Sequence, residues 1–254
     1  MSKARKIEIT HPEHAKTLAN IMLKGGIVGA IWGHHLYFLA CNACNLDAVK
    51  RMNKIKGRSE DQVFVSPGAV DEAEEFADIK RSKGLIFASH KKGMTPTKYL
   101  EFLYKRFPLG VELYANDKAP STITFATDRG RTIWIAGHMN DKIYSKFLTT
   151  VRTLRRAGKN IVFAGTSLNL RGDNTLTVKQ LDNVIEDFED TIDAISVNPN
   201  ASKLKKLRYT TSCSVVSFVG SKPKLLRVGC TSVPILKKYI PGLIVPNEIK
   251  STRK

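Results

Sequence analysis

The chain has 254 residues, 42% of them hydrophobic and 25% charged, a balance that excludes a disordered chain and provides core for one large α/β domain or two small ones. Its 41 Lys and Arg against 23 Asp and Glu give a formal charge of +18, which predicts attraction to polyanions or else serves solubility. Apolar runs such as 27–32 are too short to span a bilayer, and the start MSKARKIEIT has no apolar signal core. A cytoplasmic protein with no membrane partner is therefore expected.

In chain order, Thr10-His11-Pro12-Glu13 has the form of a helix start with proline in the first turn. Ala15, Leu18, Ile21 and Met22 follow at helical spacing, and Gly25-Gly26 is the stop. Strands are expected at 27–31 and 36–40, then a helix at 46–56 with Leu46, Val49, Met52 and Ile55 on one face. A short strand at 62–66 and an acidic helix at 70–78 come next. Thr95-Pro96 starts a further helix that ends by Pro108. Strands at 121–126 and 132–135 flank the turn Asp128-Arg129-Gly130. A long helix at 142–156 carries Ile143, Phe147, Val151 and Leu154 on one face, and a buried strand at 161–164 runs into Gly165-Thr166-Ser167. Thr177 caps a helix at 178–185; strands at 194–197, 214–219 and 225–228 and a helix at 233–239 complete the pattern. No regular β-α-β alternation is present, so the order predicts an α/β domain on a twisted mixed sheet, with the last dozen residues as a tail.

Three segments carry chemistry. Lys56-Gly57-Arg58 ends a helix with two cations, and an ammonium beside a guanidinium suits one phosphate or carboxylate, although such pairs are also common on solvated surfaces. Gly165-Thr166-Ser167-Leu168-Asn169 runs from a strand into a loop whose hydroxyls, amide and N–H groups suit phosphate or nucleobase contacts. Ser212-Cys213-Ser214-Val215-Val216, with Leu226-Arg227-Val228-Gly229, adds a guanidinium at a strand end. Cys41-x-x-Cys44 after His34 and His35 has the ligand types of a zinc site. Cys213 and Cys230 nevertheless stand singly, and Cys41 and Cys44 end an apolar strand, so small hydrophobes and no metal site are expected. His34 and His35 are either an acid/base pair or exposed turn residues.

The order of these segments resembles the YrdC-like family, whose best-known members are threonylcarbamoyl-adenylate synthases of the tRNA-modification pathway. The resemblance covers roughly residues 10–240 and rests on Gly25-Gly26, Ala40-Cys41-Asn42-Ala43 and Lys56-Gly57-Arg58. Thr166-Ser167-Leu168-Asn169-Leu170-Arg171-Gly172 is similar to the family's T-S-A-N-x-S-G, Cys213-Ser214-Val215-Val216-Ser217 to its S-T-V-V-D, and Leu226-Arg227-Val228-Gly229 to its L-R-x-G. Ala119-Pro120-Ser121-Thr122 is similar to its G-P-L-T strand start. Trp32-Gly33-His34-His35 stands where the family has P-T-D-T, and Ile135-Ala136-Gly137-His138 where it has V-R-V-P.

The resemblance implies a single YrdC-like domain over 1–240 on a large twisted mixed β-sheet flanked by helices, with 241–254 as the tail. It also implies an ATP-dependent reaction: bicarbonate and an amino acid, L-threonine in the family, become a carbamoyl-adenylate with release of pyrophosphate. Mg²⁺ would come by way of the phosphates. Lys56 and Arg58 are then expected to hold phosphate or bicarbonate, Ser167 and Asn169 to touch the nucleotide, and Ser214 and Arg227 to complete its binding. His34 and His35, standing where the family pattern is departed from, are candidate catalytic residues as an acid/base pair or as contacts to a different carboxylate. The alternative is a catalytically impaired relative that binds RNA or nucleotide. The cation clusters Arg152, Arg155, Arg156, Lys159 and Lys203, Lys205, Lys206, Arg208 are its candidate RNA surface.

Overall fold

The computed structural model describes residues 3–8, 12–31, 37–137, 142–168, 181–197 and 212–251. The elements are, in order, β1 (Arg5–Glu8), α1 (Pro12–Leu23), β2 (Val28–Ile31), β3 (Tyr37–Asn42), α2 (Leu46–Ile55), β4 (Ser66–Pro67), α3 (Val70–Phe76), α4 (Lys83–Lys91), α5 (Pro96–Tyr104), β5 (Leu109–Tyr114) and, after a 3-10 turn at Ser121–Ile123, β6 (Thr124–Thr127). Then come β7 (Gly130–Gly137), α6 (Lys142–Arg156), β8 (Phe163–Ser167), α7 (Leu181–Phe188), β9 (Ala194–Val197), β10 (Ser214–Ser217), β11 (Lys224–Val228), α8 (Val233–Tyr239) and β12 (Lys250–Ser251).

Local chemistry sets the helix ends. Asn45 caps α2 by accepting from the Ala48 N–H at 3.0 Å, and Thr95 caps α5 by accepting from Lys98 with Pro96 in the first turn. At the other end of α2, Gly57 adopts φ 61°, so that its N–H reaches the Lys54 carbonyl and the Arg58 N–H reaches Asn53, both at 3.0 Å. This double closure needs the left-handed conformation that glycine tolerates. α1 closes in the same way on Gly25 and Gly26, as the Gly-Gly stop predicts.

The chain folds into two compact units. The first, residues 1–64 and 141–210, carries a five-stranded sheet in the order β1-β9-β2-β3-β8. β9 runs parallel to both β1 and β2, whereas β2–β3 and β3–β8 are antiparallel. α1 packs on α6, and Leu18, Met22, Leu39, Phe147, Phe163 and Ile195 are buried in its core. The second unit, residues 65–140 and 211–254, carries a seven-stranded sheet, β12-β11-β10-β5-β7-β4 with β6 on β7. Leu109, Val111, Leu113, Ile133 and Ile135 alternate along β5 and β7 and are fully buried, as are Tyr99, Leu100, Leu103 and Tyr104 of α5.

The mixed α/β class with helices flanking mixed sheets is thus as expected, with the strands divided between two sheets where one large sheet was anticipated. Four elements were not anticipated, β1, α4, β5 and β12. The strand expected from 121 starts at Thr124, because Ser121–Ile123 forms the 3-10 turn. The segment beyond 240, expected as a tail, is tied to β11: Leu225 donates to the Ile244 carbonyl and Ile244 to that of Pro223, each at 2.9 Å, and β12 pairs with Arg227 and Val228.

Candidate functional site

In the first unit the closure of α2 turns the chain back between Lys56 and Arg58 and aims both at the end of β8. Lys56 is only 2% exposed, and its ammonium donates to the Ser167 carbonyl at 2.8 Å. The Arg58 guanidinium donates to the Thr166 hydroxyl at 3.3 Å and lies 5.8 Å from the centre of the Phe64 ring. The solvated-surface reading of this pair therefore fails for Lys56. Two cations, a threonine hydroxyl and a half-buried serine are collected at one strand end, a set of donors that complements an anion. Asn169, His34 and His35 lie outside the described residues, as do Lys203, Lys205, Lys206 and Arg208.

Cys41 behaves as the small hydrophobe expected. It is buried in β3, and burial pushes its thiol up to about 12; burial also raises the half-buried Cys44. Among the described residues no group of three His, Cys, Asp or Glu is placed to hold a metal ion.

In the second unit Ser214 and Arg227 occupy neighbouring strands. Ser214, expected as a ligand contact, is fully buried: its hydroxyl donates to the Thr231 carbonyl at 2.7 Å and accepts from the Gly229 N–H at 2.8 Å. Its one donor is used within the fold, so it acts as a clamp between β10 and the loop after β11. Arg227 donates through one terminal nitrogen to the Ser212 hydroxyl at 2.9 Å and the Cys213 carbonyl at 3.0 Å, while its Nε is buried without a partner among the described residues. Gly229 permits this arrangement. A Cβ there would stand 2.1 Å from the Ser212 carbonyl oxygen. Burial pushes the Cys230 thiol up to about 12, the neighbouring Cys213 adding to the shift.

Sequence reasoning passed over one polar group in this unit. Glu112, the only charged residue of β5, uses Oε1 to accept from Trp134 Nε1 at 3.1 Å and from the Thr132 hydroxyl at 3.2 Å. The Phe125 ring lies 5.2 Å from that of Trp134. A glutamate inside Leu-Gly-Val-Glu-Leu-Tyr was the signal to follow, once that stretch was recognised as a strand.

With this geometry in view, the fold has solved counterparts. Two structures of P. abyssi Sua5, one a variant and one complexed with L-threonine, match with TM-score 0.69 and 21% identity, covering 97% and 96% of this chain. The chain spans 66% and 62% of those two chains. E. coli YciO matches with TM-score 0.65 and 15% identity over 92% of this chain and 98% of its own. HypF in its phosphate- and nucleotide-bound form matches with TM-score 0.55 and 17% identity over 84% of this chain and 28% of its own. No family model matches the chain, and no curated protein matches it in sequence. The protein is an α/β protein of the YrdC-like fold, the fold that Sua5 and YciO share. No helix among the described residues is long and apolar enough to cross a membrane.

Proposed function

We propose that this protein is an ATP-dependent nucleotidyl-transferring enzyme of the YrdC-like kind, placed in the cytoplasm and in the tRNA-modification pathway. Bicarbonate and the amino group of a small amine combine to a carbamate with loss of water. A carbamate oxygen then attacks the α-phosphate of ATP, pyrophosphate leaves, and a carbamoyl-adenylate is the product. The observation that carries this reading is the pair Lys56 and Arg58 held at the end of β8. Such a reaction needs cations and donors that position two anions and offset charge building on phosphate, and no strong nucleophile.

The donor set fits a nucleotide's phosphates. A buried ammonium and a guanidinium beside Thr166 and Ser167 match phosphate oxygens or bicarbonate. Asn169 is assigned to the nucleotide with Ser167. Mg²⁺ would arrive with the phosphates and share the neutralisation of their charge. His34 and His35 are assigned as an acid/base pair or as contacts to the substrate's carboxylate, and the amine is L-threonine or a relative of it. The test is pyrophosphate release from ATP with bicarbonate across a panel of amino acids, together with calorimetry of ATP binding. Turnover with at least one amine is expected; no turnover and no nucleotide binding removes the reading.

A second reading, RNA binding, is favoured by the charge of the helices in the second unit. Between Lys80 and Arg106 there are eight Lys and Arg and a single acid, Glu101. Lys91, Lys92, Lys98, Lys105, Arg106, Lys237 and Lys238 of α4, α5, α8 and their ends are all exposed. α5 and α8 are tied by the Tyr99 hydroxyl donating to the Tyr239 carbonyl at 3.0 Å, and the Arg106 guanidinium sits 3.5 Å from the centre of the Phe102 ring. Cations interleaved with aromatic rings suit single-stranded RNA.

A further inference from the structure

Register places Glu112 among a particular set of side chains. Pairing of β5 with β7 sets Glu112 opposite Trp134, and pairing of β6 with β7 sets Phe125 opposite Thr132. Side chains alternate along strands, so Glu112, Thr132, Trp134 and Phe125 share one face of the second unit's sheet, opposite to that of the buried Val111, Leu113, Ile133 and Ile135.

Among the described residues five carboxylates are paired with a Lys or Arg, Asp117 with Arg131 among them. Glu189 pairs with Lys3 at 2.8 Å, Glu60 with Lys50 at 3.6 Å, Glu101 with Lys105 at 2.5 Å, and Asp193 with Arg51. Glu112 pairs with none among the described residues. Instead two neutral donors, an indole N–H and a hydroxyl, converge on its Oε1, and Oε2 has no partner among the described residues. Neutral donors fix the direction of a carboxylate and leave its charge in place. A half-buried carboxylate without a counter-charge is costly, and a bound cation reverses that cost. A residue needed only to accept from Trp134 would not have to be charged; glutamine would serve. The ring of Trp134, with Phe125 at 5.2 Å, supplies an apolar flank that also attracts cations.

We propose that Glu112 is the recognition point of a small organic ammonium ion: the ammonium on Oε2, its short aliphatic body against Trp134 and Phe125. This site belongs to the second unit alone, and its binding stands apart from the enzymatic reading above.

The full chain is titrated by calorimetry, without nucleotide, with n-butylammonium chloride and with n-butanol as its uncharged counterpart, while the indole N–H signal of Trp134 is followed by NMR in a Trp32→Phe background. The ammonium ion binds and moves that signal, and the alcohol binds at least tenfold more weakly. Glu112→Gln, which keeps an acceptor for both donors and removes the charge, weakens the ammonium ion at least tenfold and leaves ATP affinity unchanged. Equal binding of ammonium ion and alcohol, or an unaltered Glu112→Gln affinity, overturns the site; the first comparison needs no variant to fold. Pyrophosphate release is measured apart. Release with unaltered Glu112→Gln binding keeps the enzyme and removes the site, whereas charge-dependent binding without release keeps the site and removes the enzyme.

Discussion

Gly229→Ala is a sharp test of how the Arg227 strand is held. The new Cβ would fall 2.1 Å from the Ser212 oxygen, 2.4 Å from the Cys213 carbonyl carbon and 2.6 Å from its oxygen, all backbone atoms without a flexible end to give way. Relief requires β10 and β11 to part by about an ångström, given an ordinary approach of about 3.5 Å between non-bonded heavy atoms. That movement stretches four bonds: Cys230 N–H to the Ser212 carbonyl at 2.9 Å, Gly229 N–H to the Ser214 hydroxyl at 2.8 Å, Arg227 to the Ser212 hydroxyl at 2.9 Å and Arg227 to the Cys213 carbonyl at 3.0 Å. Each is worth about 1 kcal/mol net, and the residual crowding adds about 1–3 kcal/mol, so with all four lost a destabilisation of about 5–7 kcal/mol is expected. Urea unfolding of both proteins measures it. Gly220→Ala is the control, because its Cβ meets nothing nearer than 3.6 Å and its stability should hardly change. A Gly229→Ala loss below about 1 kcal/mol refutes the reasoning, since sheets this close cannot absorb a methyl at no cost.

Three further outcomes are expected. Lys56→Ala and Arg58→Ala each weaken ATP at least tenfold by calorimetry, with Arg58→Lys intermediate because an ammonium lacks the two-pronged fork; losses under threefold for both remove the anion assignment. RNA affinity falls steeply with salt, with a slope of about −0.7 per phosphate for single strands, and the triple reversal Lys98→Glu, Lys237→Glu and Lys238→Glu flattens the slope by about 2; a salt-independent affinity rules this surface out. Alkaline pH destabilises the fold. The Cys41 thiol titrates near 12 when folded against 9.0 for an ordinary thiol, so its contribution is complete below pH 9, is lost as pH rises through 12, and is at most about 4 kcal/mol. Urea midpoints between pH 8 and 11 measure this, and Cys41→Ala should show a shallower decline; parallel profiles would contradict it.

What the sequence made legible was local. The ends of α2 and α5, the Gly25-Gly26 stop and the full extents of α6, α8 and β9 follow from caps, glycine and periodicity, which act over a few residues. β5 was hidden because its 109–114 stretch is largely apolar on both faces and follows directly on a helix end, so its alternation is weak. The division into two units was hidden too, for no change of composition marks the crossings near residues 64 and 140. At the site, Lys56 and Arg58 were found from spacing and resemblance, but their contact with β8 joins residues 111 and 108 positions apart. The partners of Ser214, Thr231 and Gly229, were hidden for the same reason, since strand pairing sets them and a motif does not display it.

The interleaving of the two units has a consequence for how the chain reaches its fold. β9 separates β1 from β2 in the first sheet, and the carboxylate of Asp193 just before it receives the Ile27 N–H at 2.7 Å. In the second sheet β10 is the link between β5 and β11. Neither sheet can close until roughly the last quarter of the chain has left the ribosome. The early strands wait with open edges while more than a hundred residues are added. Such non-local pairing predicts slow folding with both sheets maturing late and together, and a nascent chain that needs shielding from its neighbours until then.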